Sequence, residues 1–214
     1  MKLMRKITAL RARKGRGKRV NIFLDGKLAF SLEADVAAKE GLQVEQTLSA
    51  GEIDALTKSD HFQRCLNAAT HYLGYRPRSE AELRRKLGQR GFDRDTQEAV
   101  ITRLKNQGLV DDMAFAQFWR ENRESFNPRS RQLTRLELRQ KGLDDGIIGQ
   151  VVATIDDNDS AYRVALNKAR SLPHSDYQKL RRRLGEHLRR RGFSYGVINH
   201  TVERLWQGQT NSPR

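Results

Sequence analysis

Two acidic pairs, Asp111-Asp112 and Asp156-Asp157, are the first places in this sequence where side chains could do chemistry. Adjacent carboxylates can hold the metal of a nuclease. Successive helical residues point about 100° apart, however, so neither pair converges on one ion from a helix. Both pairs also stand where a new helix must begin, and there Asp satisfies unpaired backbone donors. Capping is the expected role. The histidines (His61, His71, His174, His187, His200) lack HExxH spacing or a nearby partner set, which argues against zinc. Cys65 is the only cysteine, so it excludes an intramolecular disulfide and a cysteine cluster, and it falls on an apolar stripe. Gly15-Arg16-Gly17 matches no phosphate-cradling motif, and Trp119 and Trp206 fall on or beside helical stripes as packing anchors. The expectation is a protein that is not an enzyme and needs no metal and no cofactor.

What remains is positive charge. The 214 residues hold 41 Lys+Arg against 26 Asp+Glu, a formal net charge of +15. The excess is uneven: +4 over residues 1–60, +4 over 61–111, zero over 112–156 and +7 over 157–214. Such a surplus predicts an acidic partner, phosphate backbones above all. Arg outnumbers Lys, which suits bidentate contacts to phosphate or carboxylate. In 180–191, Leu180, Leu184 and Leu188 share one helical face while Arg182 and Arg189 point away and Arg183 and Arg190 flank it. That is a basic ridge. The candidate binding residues are Arg181, Arg182, Arg183, Arg189, Arg190 and Arg191, with their counterparts Arg84, Arg85, Lys86 and Arg90, and Arg135, Arg139 and Lys141. A second basic group, Arg11, Arg13, Lys14, Arg16, Lys18 and Arg19, reads as a flexible N-terminal loop.

The elements that must position these residues follow from punctuation and periodicity. Hydrophobic residues make up 37% of the chain and charged residues 31%, which favours thin helix–helix seams over one thick core. Val20–Leu24 and Lys27–Leu32 around Asp25-Gly26 predict a β-hairpin, with Ile7–Leu10 as a candidate third strand. Glu33–Glu40 reads as a short helix stopped by Gly41, and Ser49-Ala-Gly-Glu52 as a capping box opening a helix over Gly51–Thr57.

Beyond residue 60 the chain repeats itself. Pro77-Arg78-Ser79 returns as Pro128-Arg129-Ser130, and Arg90-Gly91-Phe92 returns as Lys141-Gly142-Leu143 and Arg191-Gly192-Phe193. Each unit reads as three helices. The first carries an apolar stripe: Phe62, Cys65, Leu66, Ala69 and Leu73; then Phe115, Phe118, Trp119 and Asn122; then Tyr162, Ala165, Leu166 and Ala169. Pro77, Pro128 and Pro173 end it. Ser79, Ser130 and Ser175 cap the second helix, with Glu82 and Gln178 completing capping boxes, and the glycines stop it. Asp93, Asp144 and Ser194 cap the third helix, whose stripes are Val100/Ile101/Leu104, Val151/Val152/Ile155 and Val197/Ile198/Val202/Leu205. Five extra residues between Ser175 and Gly192 lengthen the last second helix by about 1.4 turns. The fold class expected is mainly α: three tandem three-helix repeats in an elongated array with room for curvature, plus a small N-terminal β-hairpin extension. The boundaries expected are 1–60, 61–111, 112–156 and 157–207, with 208–214 a disordered tail. No apolar run of signal-peptide or membrane-span length follows the basic Met1–Leu10, so a soluble, cytoplasmic monomer is expected.

Taken together, these motifs resemble the RecX regulators of bacterial recombination. The resemblance rests on Arg78-Ser-Glu-Ala-Glu-Leu-Arg-Arg-Lys-Leu87 leading to Arg90-Gly91-Phe92, and on Gly108-Leu-Val-Asp-Asp112 with Phe115-Ala116. Leu136-Glu-Leu-Arg-Gln-Lys-Gly142 and Leu188…Arg191-Gly192-Phe193 fit the later repeats, and Ile7–Leu10 with the Asp25-Gly26 hairpin is similar to the N-terminal extension of longer members. It spans residues 5–206. The resemblance implies a cytoplasmic protein that binds the RecA filament, usually inhibiting its ATPase, strand exchange and coprotease activities, and that can contact single- or double-stranded DNA directly. A second reading, a helix-turn-helix DNA-binding regulator, would concentrate base-reading residues on one recognition helix. Here the basic residues line several helices.

Overall fold

The computed structural model describes residues 4–13, 18–172 and 176–210. Lys14, Arg16, Pro173, His174 and Ser175 lie outside the described residues, as does the chain beyond 210. The chain forms two compact units: Met1–Arg76 with Leu83–Leu109, and Pro77–Glu82 with Val110–Arg214.

The first unit opens with β1 (Met4–Ala12), β2 (Arg19–Leu24), β3 (Lys27–Glu33) and β4 (Thr47–Ser49), antiparallel in the order β3-β2-β1-β4. Asp25 (φ +51°) and Gly26 (φ +83°) make the tight turn that matches strand twist. The hairpin and its third strand are therefore present. β4, three residues long, was not foreseen. Helix α1 (Ala34–Lys39) ends before Gly41 as expected. Ile7, Ile22, Leu24, Leu32, Val36, Leu48 and Leu56 form the core of this part.

The expected loop of residues 11–19 is shorter than predicted, because Arg11 belongs to β1 and Arg19 to β2. Arg19 is held by Glu33 (2.9 Å) and Asp60 (3.2 Å). Asp60, only 5% exposed, also accepts the Glu33 amide at 2.6 Å. The helix expected over Gly51–Thr57 does not stop there. It is the start of one 26-residue helix, α2 (Ala50–Tyr75), which crosses the expected boundary at residues 60/61. Nothing between Glu52 and Leu73 is a Pro or Gly, and within the polar Lys58-Ser59-Asp60 stretch Asp60 is buried by its contacts with Arg19 and the Glu33 amide. The Ser49/Glu52 capping box opens α2 as expected.

The remaining helices are α3 (Glu80–Gly88) and α4 (Arg94–Asn106); α5 (Asp112–Phe126), α6 (Arg131–Gln140) and α7 (Asp145–Ala153); and α8 (Asp157–Ala169), α9 (Tyr177–Arg189) and α10 (Tyr195–Thr210). The end of α2 with α3 and α4 forms the first three-helix module, and the next two triplets form the second and third. Ser79 and Ser130 accept the amides of Glu82 and Leu133, and Asp93, Asp144 and Ser194 cap the third helices. Asp111 and Asp156 cap α5 and α8. Their neighbours have a separate task. Asp112 accepts the first amide of α3 (Glu80, 2.8 Å) and Asp157 the first amide of α6 (Arg131, 2.7 Å).

Several expectations are corrected. Asp176, not Ser175, caps α9 by accepting the Lys179 amide, which places Gln178 out of register for a capping box. The helix is therefore 13 residues long, three or four longer than α6 or α3, and less extended than the insertion suggested. Helix α10 continues through residues 208–210, expected to be disordered. Asn122 and Leu166 are exposed; Ala116, Ala161 and Val164 take the buried places instead, since the stripes drift with the helical period. Burial pushes the Cys65 thiol up to about 11, with the Asp93 charge adding to it, so Cys65 is a core residue.

Gly91, Gly142 and Gly192 all have φ near +80°, the left-handed corner that stops each second helix. Two of them have a further reason to lack a side chain. A Cβ on Gly142 would overlap the Ala81 methyl, and one on Gly192 would lie 2.6 Å from Ser130 Oγ and 2.7 Å from Leu133 Cβ. At Gly91 a Cβ would meet nothing within 4 Å. Each of the later corners thus presses on the first turn of the preceding second helix. The Ser79 hydroxyl donates to the Lys141 carbonyl (2.6 Å), and the Ser130 amide donates to the Arg191 carbonyl (3.0 Å).

Beside these joints lies a carboxylate hub. Glu137, 8% exposed, accepts Trp119 Nε1 and Arg123 Nε, both at 2.8 Å, and also pairs with Arg129. The Trp119 ring is flanked by Arg123 and Lys141, each 4.7 Å from its centroid.

Gly91→Ala should cost only the left-handed backbone penalty, about 1–2 kcal/mol. Gly142→Ala and Gly192→Ala should cost roughly 1–3 kcal/mol more through overpacking. Equal losses for all three in urea denaturation would show that the close approach carries no energy. Glu137→Ala should destabilise by about 3–5 kcal/mol, because it strands two half-buried arginines, and should shift tryptophan emission. A loss below about 1 kcal/mol, the range of a surface pair, would contradict the hub. Thr96, through its amide and hydroxyl, and His61 hold the Asp93 carboxyl at about 2. This folded value is depressed, so the cap contributes fully above the ordinary 3.8 and is lost as pH falls through about 2. An NMR titration midpoint for Asp93 near 3.8 would contradict this.

Candidate functional site

The second helices divide their basic residues between holding the fold and facing solvent. Lys141 is half-buried and reaches Glu82 at 2.6 Å. Arg191, at the same place in the next module, is half-buried and donates to Asn127 Oδ1, to the Pro128 carbonyl and to His187. Burial, then the nearby Arg129 and Arg190 charges, depress the Arg191 pKa. Both side chains are committed to the joints. Arg139 pairs with Asp145 (2.8 Å), Arg84 with Glu98 (2.6 Å), and Arg90 stacks on Tyr72.

The others are less engaged. Arg85 and Lys86 on α3, Arg135 on α6, and Arg182, Arg183 and Arg189 on α9 with its C-cap Arg190 are exposed and have no ion pair among the described residues. In the N-terminal group, Arg13 and Lys18 are exposed, Arg11 lies 5.0 Å from the Phe23 ring centroid, and Arg19 is structural. The clearest concentration is α9. Leu180, Leu184 and Leu188 are at most 1% exposed, Arg182 and Arg189 lie on the opposite side of the helix and Arg183 and Arg190 toward its flank, all four exposed.

One feature of this surface was missed. Between α9 and α10 lies a groove of about 450 Å³ lined by Gln178, Arg181, Arg182, Gly185, Glu186, Arg189, Tyr195, Ile198 and Asn199. Tyr195 begins α10 and is 70% exposed. Its hydroxyl accepts from Arg181 at 3.2 Å. The side chain of Asn199, then the charge of Arg181, lower its pKa below the ordinary phenol value. The repeat alignment held the signal: Arg94 and Asp145 occupy the place of Tyr195, so an aromatic residue there departs from the other modules.

Among the described residues no group of three or more His, Cys, Asp or Glu side chains could hold a metal ion, and no helix is long and apolar enough to cross a membrane.

Comparison with known proteins places this architecture. Four family models match in succession: the regulatory protein RecX N-terminal domain over residues 5–49, and the RecX first, second and third three-helix domains over 65–104, 111–152 and 156–202. A regulatory protein RecX of Clostridium perfringens (strain 13 / Type A) is 30% identical over 207 residues, covering 94% of this chain and 97% of that protein. The Bacillus subtilis (strain 168) regulatory protein RecX is 30% identical over 203 residues, covering 93% and 76%. A crystal structure of regulatory protein RecX superposes with a TM-score of 0.66 at 25% identity, covering 93% of this chain and 99% of that one. The structure of RecX from Lactobacillus salivarius matches in fold, with a TM-score of 0.59 at 24% identity over 69% of this chain and 97% of its own. With all four domains matched in order and relatives similar along nearly its whole length, the chain belongs to the RecX family of regulatory proteins.

Proposed function

We propose that this protein is a non-catalytic cytoplasmic regulator that binds the RecA–DNA nucleoprotein filament as a monomer. It lowers RecA ATPase, strand exchange and coprotease activity, and it touches the DNA of the filament directly. Family membership supports the partner, and the unpaired arginines of α9 support the means.

Four exposed guanidiniums without ion pairs among the described residues, with Glu186 as the one acid in the 181–191 stretch, repel one another at low ionic strength, and an acidic surface relieves that repulsion. The gain is electrostatic and screened by salt, with a Debye length near 8 Å at physiological ionic strength. Phosphates add counterion release, so the contact weakens steeply as salt rises. The repeated modules suit a partner that is itself a repeat of identical protomers.

The test is RecA ATPase on single-stranded DNA, titrated with this protein at two salt concentrations. Half-inhibition should need distinctly more protein at the higher salt. The variant Arg182→Glu/Arg183→Glu/Arg189→Glu/Arg190→Glu should need about ten-fold more or worse, because it replaces attraction by repulsion at four sites. Its circular dichroism spectrum should match wild type, since all four side chains are exposed. Undiminished inhibition by the variant would remove the ridge from the mechanism. A wild-type protein that leaves RecA ATPase unchanged would overturn the function itself.

A further inference from the structure

The three modules share a frame, and counting from Gly91, Gly142 and Gly192 shows where the third departs from it. In the first module Arg84, seven residues before its glycine, pairs with Glu98, seven residues after, across the space between α3 and α4. The same two positions in the third module are Gly185 and Asn199. In the second module Arg139 pairs with Asp145 across α6 and α7. The matching positions in the third are Arg189 and Tyr195. Each acid closes the space in one module only, Glu98 in the first (Gly149 stands there in the second) and Asp145 in the second (Arg94 stands there in the first). The third module has neither, and the arginine common to the first two at Arg84 and Arg135 is replaced by Gly185.

Packing does not require that glycine. A Cβ on Gly185 would make an ordinary contact with Ile198 Cγ2 at 3.7 Å, and its φ is not in the left-handed region. A glycine inside a helix is less stable than alanine there. Its bareness leaves room in the groove of about 450 Å³ that it lines. Tyr195, 70% exposed, and Arg182 and Arg189, without ion pairs among the described residues, line the same groove. Glu186 also lines the groove and makes no ion pair among the described residues. Its charge disfavours a phosphate deep inside, yet it accepts well from an amino group.

From these features we propose that the α9–α10 groove is a single-stranded nucleic-acid site, in which one unstacked base lies on Tyr195 above Gly185 while Arg182 and Arg189 hold its flanking phosphates. The proposal rests on the DNA contact in the function proposed above and assigns it a strand state and a place. An exposed aromatic beside a cationic rim is the recurring means of holding single strands, because every base has a face to stack. A base inside a duplex is already stacked and cannot reach the ring.

The test is fluorescence anisotropy of the full chain with a labelled oligothymidylate and with a labelled duplex of the same length. Tyr195→Ala should weaken single-strand binding about ten-fold or more while changing duplex binding by less than about two-fold. Tyr195→Phe keeps the ring and should retain the affinity. The double variant Gly185→Arg/Asn199→Glu rebuilds the ion pair of the first module without altering net charge, and should lose single-strand binding as Tyr195→Ala does. Unfolding temperatures near wild type would show that these losses are not collapse of the fold. Unchanged single-strand affinity in Tyr195→Ala, an equal loss on the duplex, or competition by poly-glutamate as strong as by unlabelled oligothymidylate would each overturn the proposal. RecA ATPase run beside it separates the two readings. Wild-type inhibition with no Tyr195 effect on single strands sinks the groove alone, and Tyr195-dependent binding without any effect on RecA sinks the function alone.

Discussion

The contact on which the second unit depends is the approach of a left-handed glycine corner to the capped first turn of another helix. A second helix ends with several carbonyls lacking intrahelical donors, and begins with as many amides lacking acceptors. Here one end serves the other. The Ser79 hydroxyl supplies a donor to the Lys141 carbonyl, the Ser130 amide supplies one to the Arg191 carbonyl, and Asp112 and Asp157 take the first amides of α3 and α6. Such short-range bonds need backbones in near contact, which only glycine permits at positions 142 and 192. A residue type that looks like a simple helix stop is therefore also the packing surface.

That constraint decides how the arginines and lysines are used. The residue before each later corner glycine is placed against the preceding module, so its side chain finds an acceptor there: Glu82 for Lys141, and Asn127 with the Pro128 carbonyl for Arg191. Arg189 and Arg190, three and two positions before Gly192, have no such acceptor and are exposed. At the end of α9 the structural cation and the exposed ones are thus neighbours in sequence. The division follows from position relative to the joint, since the side chains themselves are alike.

This explains what the sequence made legible and what it hid. Local punctuation was readable: Asp25-Gly26 for the hairpin, the three corner glycines, and Asp93, Asp111, Asp144 and Asp156 as caps, since each acts on residues within a few positions of itself. The ridge on α9 was readable too, being set by helical period alone. Hidden were features decided by residues far along the chain. Asp60 serves Arg19 and Glu33, Asp112 serves Glu80, and Trp119 meets Glu137, and no pattern near either partner announces the other. The unbroken α2 was misjudged for the same reason.

Duplication offers a further kind of information, because copies share one packing problem and need not share one task. Where all three modules agree, as in the buried leucines and corner glycines, the shared fold is a sufficient cause. Where one departs in a direction that costs the fold something, the shared fold cannot be the cause. The third module has neither of the cross-helix ion pairs found one each in the first two and accepts a helix-interior glycine, yet the neighbouring Leu184, Leu188 and Ile198 stay buried. At these places the first two modules each pair one arginine with an acid on the next helix, Arg84 with Glu98 and Arg139 with Asp145, and in the third Arg189 faces solvent beside an exposed ring. The greatest segmental charge, +7 over residues 157–214, lies in the same module. Charge, cavity and lost pairing thus coincide in one place, and an interaction with a polyanion accounts for all three, whereas solubility accounts only for the first.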